Sequence, residues 1–139
     1  MPYNPQNIFA RILRGEIPAH KVLETDHTLA FMDVMPQAPG HTLVIPKAPA
    51  ESVFELEPAI LAATILEVQR VARVVKQVFQ APGVMIAQLN GAAAGQSVFH
   101  LHFHVIPRYD GADFHIHARD MADPAVLAEH AARLRAALG

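Results

Sequence analysis

Between Val98 and Arg108 three histidines, His100, His102 and His104, alternate with large apolar residues, and Pro107 closes the run. β-Branched and aromatic residues at period two favour a strand over a helix. Side chains of a strand point to opposite faces in turn. The spacing therefore predicts a strand over 98–108, with Val98, His100, His102, His104 and Ile106 on one face and Phe99, Leu101, Phe103 and Val105 on the other. One face would be core, the other a wet row of imidazoles.

Such a row has three readings. A half-buried strand needs only polar residues on its solvent side, but that predicts a mixture of types rather than the same one three times. A metal site needs ligand nitrogens converging at roughly 2.0–2.1 Å from one ion. Histidines two apart on a strand begin roughly 6.6–7 Å apart, so a metal would need a ligand from another segment. The third reading is catalytic: imidazole changes charge near neutral pH and can serve as nucleophile, proton donor or oxyanion partner.

Composition narrows the partners. The 139 residues suit one domain, 1–139, with a substantial core. Lys and Arg number 11 against 13 Asp and Glu, a formal charge of −2 with no block of one sign. That argues against a nucleic-acid partner and for a small molecule. There is no cysteine, which excludes disulfides and Cys-based zinc sites. No apolar run approaches a membrane span and the first residues do not resemble a leader, so a soluble, cytoplasmic chain without a membrane partner is expected.

Along the chain, Ile8, Phe9, Ile12 and Leu13 recur at helical spacing before Gly15 and predict a short helix over 7–14. Two short strands follow, over 21–25 and 28–33, joined through Asp26-His27; His20 and His27 are expected to be exposed and without a role. Asp33 precedes a loop, 36–40, too rich in proline for helix or central strand. His41 opens a third strand ended by Pro46, sharing a face with Leu43 and Ile45. Glu57-Pro58 starts the longest helix and Ala81-Pro82-Gly83 ends it. Its apolar stripe comprises Leu61, Ile65, Val68, Ala72, Val75 and Phe79, and Ile60, Val71, Val74 and Val78 widen it enough to suggest burial against a second copy. A fourth strand over 84–89 leads into the small-residue loop Asn90–Gln96. That loop lacks the Gly-Lys-Ser/Thr ending of a P-loop, although small residues and Ser97 would let donors approach an anion. Asp123-Pro124 starts a last helix with Leu127, Ala131, Leu134 and Leu138 on one face. His115 and His117 receive no assignment.

His100-Leu-His102-Phe-His104-Val-Ile resembles the His-x-His-x-His-x-x signature of the histidine triad (HIT) nucleotide hydrolases and transferases. The likeness extends through Gly15–Ala19, Phe31–Lys47, Asn90 and Gly95–Ser97, roughly three quarters of the chain, and is greatest to the small bacterial HIT and nucleoside phosphoramidase branch. The resemblance implies an α+β fold: a five-stranded, mainly antiparallel sheet with one long helix and short terminal helices, the sheet extended across a homodimer. It makes His102 the nucleophile towards the α-phosphorus of a purine nucleotide derivative, with a nucleotidyl-histidine intermediate. His100 would orient it, His104, Ser97 and the Gln96 backbone would hold phosphoryl oxygens, and His41 would join the triad as a fourth histidine. Ile8, Phe9, Ile12, Phe31 and Val34 would hold the base, Asp33 the ribose hydroxyls, and Asn90 would lie near sugar or phosphate. The scheme needs no cofactor and no metal. Some bacterial relatives carry Cys-x-x-Cys and a further histidine, where this chain has Asn7, Ala10 and Pro49. A dinucleoside polyphosphate hydrolase and a metal-binding module of His41 with two triad histidines are the alternatives.

Overall fold

The structure, a computed structural model, describes residues 2–111 and 120–139; His115 and His117 lie outside them. Strands β1 (Lys21–Glu24), β2 (Thr28–Met32), β3 (Thr42–Pro46), β4 (Gly83–Gln88) and β5 (Phe103–Arg108) form a five-stranded sheet in the order β1-β2-β3-β5-β4. Each adjacent pair is antiparallel. The α+β architecture expected from the sequence is therefore present, with helices α1 (Ile8–Leu13), α2 (Pro58–Val78) and α3 (Pro124–Leu138) around the sheet.

Alternation assigns the faces. Ala30, Met32, Val44, Phe103 and Val105 point to one side and bury with Val68, Val71 and Val75 of α2 and with Leu127, Ala131 and Leu134 of α3. Full burial of the Val, Leu, Met and Phe side chains among these contributes about 1.5–3 kcal/mol each. The other side carries Leu29, Phe31, Leu43 and Ile45, packed with Phe9 and Ile12 of α1. Here the register runs a row across three strands, Phe31 opposite Leu43 and Leu43 opposite His104. That row is the floor on which the site is built.

Helix α2 starts with Glu57 as its N-cap residue and Pro58 in the first turn, where the missing N–H would have had no helical partner. Its surplus apolar width has a different explanation from the expected one. Val71 and Val74 are buried within a single chain, in the cluster that α3 joins. Ile65, placed on the sheet-facing stripe, is instead 44% exposed, and Leu66 63%.

The histidine run also departs from its expected form. Strand β5 begins at Phe103, not Val98. Upstream, the Leu101 N–H donates to the Ala50 carbonyl (2.8 Å), and the Gln96 amide donates to the carbonyls of Glu51 and Val98. These bonds to neighbouring loops draw 98–102 out of the ladder. His100 is wholly buried and His102 is 6% exposed, so the histidines do not form a wet row on one strand face.

Candidate active site

A cavity of about 440 Å³ opens over the Phe31–Leu43–His104 row, within the size range of small-ligand pockets. Ile8, Phe9 and Ile12 from α1, with Phe31, Val34 and Leu43, form apolar walls, and Asp33, His41, Ser97, His102 and His104 supply polar groups. The mixture suits a ligand with a flat apolar part and a polar end.

The hydrogen bonds assign the neutral tautomers. His102 Nδ1 lies 2.7 Å from the main-chain oxygen of His100. A carbonyl only accepts, so Nδ1 carries the hydrogen and Nε2 keeps a free lone pair. The Gln37 N–H donates to His41 Nδ1 (3.0 Å), so the hydrogen of neutral His41 sits on Nε2. That nitrogen is 3.0 Å from His104 Nδ1 and donates to it, which leaves the hydrogen of His104 on Nε2. His100 Nε2 is 2.8 Å from the Pro46 carbonyl and donates there. Phe9 meets the His102 ring edge-on at 5.0 Å and His104 meets it at 5.0 Å from another side. Packing and hydrogen bonding together fix the ring of His102.

Burial disfavours the charged forms of His41, His100 and His102. It pushes His41 down to about 3, helped by the neighbouring His104 and His102. It also lowers His102 and His100, partly offset by the carbonyls that each ring meets. An unprotonated His102 is the form that can attack an electrophile. Burial pushes Asp33 up to about 6, against the pull of the Met35 N–H on its Oδ1. The Asp33 carboxyl approaches His41 Nε2 at 3.4 Å, but a neutral imidazole makes this a weak polar contact rather than an ion pair.

Of the residues singled out in the sequence, the structure brings Ile8, Phe9, Ile12, Phe31, Asp33, Val34, His41, Ser97, His102 and His104 to one cavity. Three sit behind it. His100 supplies its carbonyl to His102 from the buried side. Asn90 takes the Val53 N–H on its Oδ1 and exchanges bonds with Gln88. Gln96 takes the Gly91 N–H on its side chain, and its own N–H goes to the Gly91 carbonyl. The Gln96 N–H, expected at a phosphate, is engaged here by the Gly91 carbonyl, and the side chains of Asn90 and Gln96 hold the loops around the site. Val98, Met35, Gln37 and Met121 also line the cavity and were missed. Val98 carried a signal as the start of the histidine run, and Met35 and Gln37 lie inside the Phe31–Lys47 block of the resemblance; Met121 carried none.

Asp33, His41 and His104 each offer a donor atom within 4.8 Å of the others, close enough for an ion on distance alone. The tautomers oppose it: His41 Nε2 carries a hydrogen because Nδ1 is held by a main-chain donor, and a ligating nitrogen must present its lone pair. These residues do not fit a metal without breaking the Gln37 bond.

Comparison with known families matches residues 14–111 to the HIT domain. The chain belongs to this family. A HIT-like protein of Bartonella henselae, described as involved in cell-cycle regulation and solved with an unknown ligand, is 45% identical. It superposes with a TM-score of 0.91, covering 98% of this chain and 99% of that one. A zinc-bound histidine triad family protein of Mycobacterium smegmatis is 36% identical with a TM-score of 0.83, covering 96% and 93%. An Arabidopsis thaliana relative named adenylylsulfatase HINT3 is 37% identical over 101 residues, 73% of this chain and 51% of the plant protein. HIT membership agrees with the sequence blocks on either side of the cavity.

Proposed function

We propose that this HIT protein is a nucleotide hydrolase or transferase that acts on purine nucleoside 5′-phosphoramidates or similar compounds. Its attacking atom is His102 Nε2. The observation that carries the reading is the His102 Nδ1–His100 carbonyl bond, which leaves a buried, neutral imidazole with one lone pair facing the cavity. Attack forms an N–P bond at the α-phosphorus, the bond to the leaving group breaks, and water then releases the nucleoside monophosphate and restores His102. His104 and the Ser97 hydroxyl hold phosphoryl oxygens as charge builds up. Ile8, Phe9, Ile12, Phe31 and Val34, with Leu43 beside them, hold the base, and the Asp33 carboxyl accepts from the ribose hydroxyls. The plant relative named adenylylsulfatase supports adenylyl chemistry of this type. No cofactor enters the scheme, the unit is the whole chain, 1–139, and its compartment is the cytoplasm. Among the described residues no helix is long and apolar enough to cross a membrane.

The cavity's charge favours phosphoramidates over dinucleoside polyphosphates. Among the described residues lining it there is neither lysine nor arginine, and several phosphates would call for permanent cations close by. A singly charged phosphoramidate asks for less. Adenosine 5′-phosphoramidate and a diadenosine polyphosphate assayed side by side test this: the first should be turned over faster, and a reversed preference would move the chain to the polyphosphate class.

The same reading includes a homodimer. Strand β4 ends the sheet, and its Ile86, 50% exposed, lies beside Ile65 along a groove with α2. A second copy pairing on this edge would extend the sheet and cover that apolar strip. Light scattering at micromolar concentration should give twice the 15.1 kDa chain mass; a monomer would remove this part.

A further inference from the structure

The triad sits in contact with a residue far from it in sequence. Tyr3, upstream of the matched HIT region, places its hydroxyl 2.5 Å from His100 Nδ1, and the two rings meet edge-on at 5.6 Å. His100 is wholly buried. Its Nε2 hydrogen is committed to the Pro46 carbonyl, so Nδ1 is an acceptor and the phenol is the donor. Both nitrogens of His100 are thereby satisfied, one by β3 and one by the N-terminal segment. The carbonyl of this same residue receives the His102 Nδ1 hydrogen. Three hydrogen bonds thus run in series: Tyr3 to His100, His100 to Pro46, and His102 to His100.

We propose that Tyr3 is a positioning residue for the reaction: by donating to His100 Nδ1 it holds that ring in one tautomer and orientation, and so fixes the carbonyl that orients His102. The assignment rests on the reading of His102 as nucleophile. Nothing in the Tyr3 contact touches the cavity, so its influence passes through His100. Partial burial raises the phenol above its ordinary titration range, so the hydroxyl keeps its hydrogen and remains a donor throughout the working pH range. Removing the hydroxyl leaves a buried lone pair without a donor. Such a group costs about 1–3 kcal/mol, and the ring can relieve it by changing tautomer or turning, either of which loosens the Pro46 bond and shifts the carbonyl.

Tyr3→Phe keeps the ring packing and deletes only the donor. With adenosine 5′-phosphoramidate, kcat should fall about tenfold or more, the equivalent of losing one such bond in the transition state, while KM stays near the wild-type value. The ¹⁵N spectrum of histidine-labelled full-length protein gives an independent readout. Wild type should show His100 protonated on Nε2 and His102 on Nδ1, and Tyr3→Phe should move the His100 signals towards a mixture of tautomers. In a His100→Asn background, Tyr3→Phe should cause no further loss, because the residue it acts through is gone. Unchanged His100 nitrogen signals in Tyr3→Phe, or losses that multiply in the double variant, would overturn the proposal. The nitrogen spectrum needs no turnover, so it separates failure of this assignment from failure of the nucleotide-transfer reading.

Discussion

His102 Nδ1 donates to the main-chain oxygen of His100 across 2.7 Å, and this one bond decides which nitrogen of His102 keeps its lone pair, the proposed nucleophile. His102→Asn removes the Nε2 lone pair altogether, so turnover should fall to near background, since neighbouring groups cannot replace a missing covalent step. On a wet strand face the change would have left stability alone. His102 is instead buried against Phe9, so a loss of about 1–2 kcal/mol is expected for a core substitution of this kind. Steady-state assays and urea denaturation of the variant check both halves; substantial turnover would remove His102 from its role.

Acid should destabilise the protein before carboxylates dominate its titration. The folded state holds His41 down at about 3 and keeps His100 and His102 below their ordinary 6.5. Below pH 6.5 the unfolded chain takes up protons that these groups refuse in the fold, so their contribution is present above 6.5 and declines as pH falls. Asp33 works the other way: pushed up to about 6 from 3.8, it adds stability as pH falls through 6. Three histidines oppose one carboxyl, so denaturation midpoints should drop between pH 7.5 and 5, and less steeply in His41→Gln. Midpoints that are flat or rise towards pH 5 would contradict this.

Gly40 should not tolerate a side chain. Its φ is +95°, and an added Cβ would lie 2.6–2.9 Å from the Phe79 ring. That ring cannot easily move, because His130 packs edge-on to it and the Arg133 guanidinium lies 5.0 Å from its centre. Strain and overlap together make Gly40→Ala a loss of about 2 kcal/mol or more, read by thermal denaturation. Gly40 precedes His41, so a folded Gly40→Ala protein should also lose activity.

Much of the fold was legible because it depends on neighbours in sequence. The α2 stop at Ala81-Pro82-Gly83, the α3 cap at Asp123 and the hairpin at Asp26-His27 are local signals, and each element appears within a residue or two of its expected bounds. What was not legible depends on distant partners. The start of β5 moved to Phe103 because Leu101 bonds to Ala50 and the Gln96 amide to Glu51. The surplus width of α2 was real as a pattern, but periodicity does not say that α3 will cover it. Most cavity walls were named through the family resemblance, whereas Asn90 and Gln96 proved to hold loops, a distinction that rests on which donors are already occupied. Tyr3 carried no local signal; only the folded chain brings it to His100.

Purified, chelator-washed protein should carry far less than one zinc per chain. The chain has no cysteine, and Asn7, Ala10 and Pro49 stand where some relatives are expected to have ligands. His41, moreover, is held in the wrong tautomer by the Gln37 N–H. Elemental analysis of untagged protein checks this. Stoichiometric zinc would mean that His41 surrenders that bond, and would revive the metal-site reading.

The most direct test of the central claim is to trap the covalent intermediate. Enzyme quenched during turnover of adenosine 5′-phosphoramidate, without exposure to acid, is digested and its peptides are weighed by mass spectrometry with fragmentation to place the added mass. An adenylyl group on His102, absent from His102→Asn, is the expected result. An adduct mapped to His100, His104 or any other residue, or rapid turnover with no adduct at His102, would contradict the account.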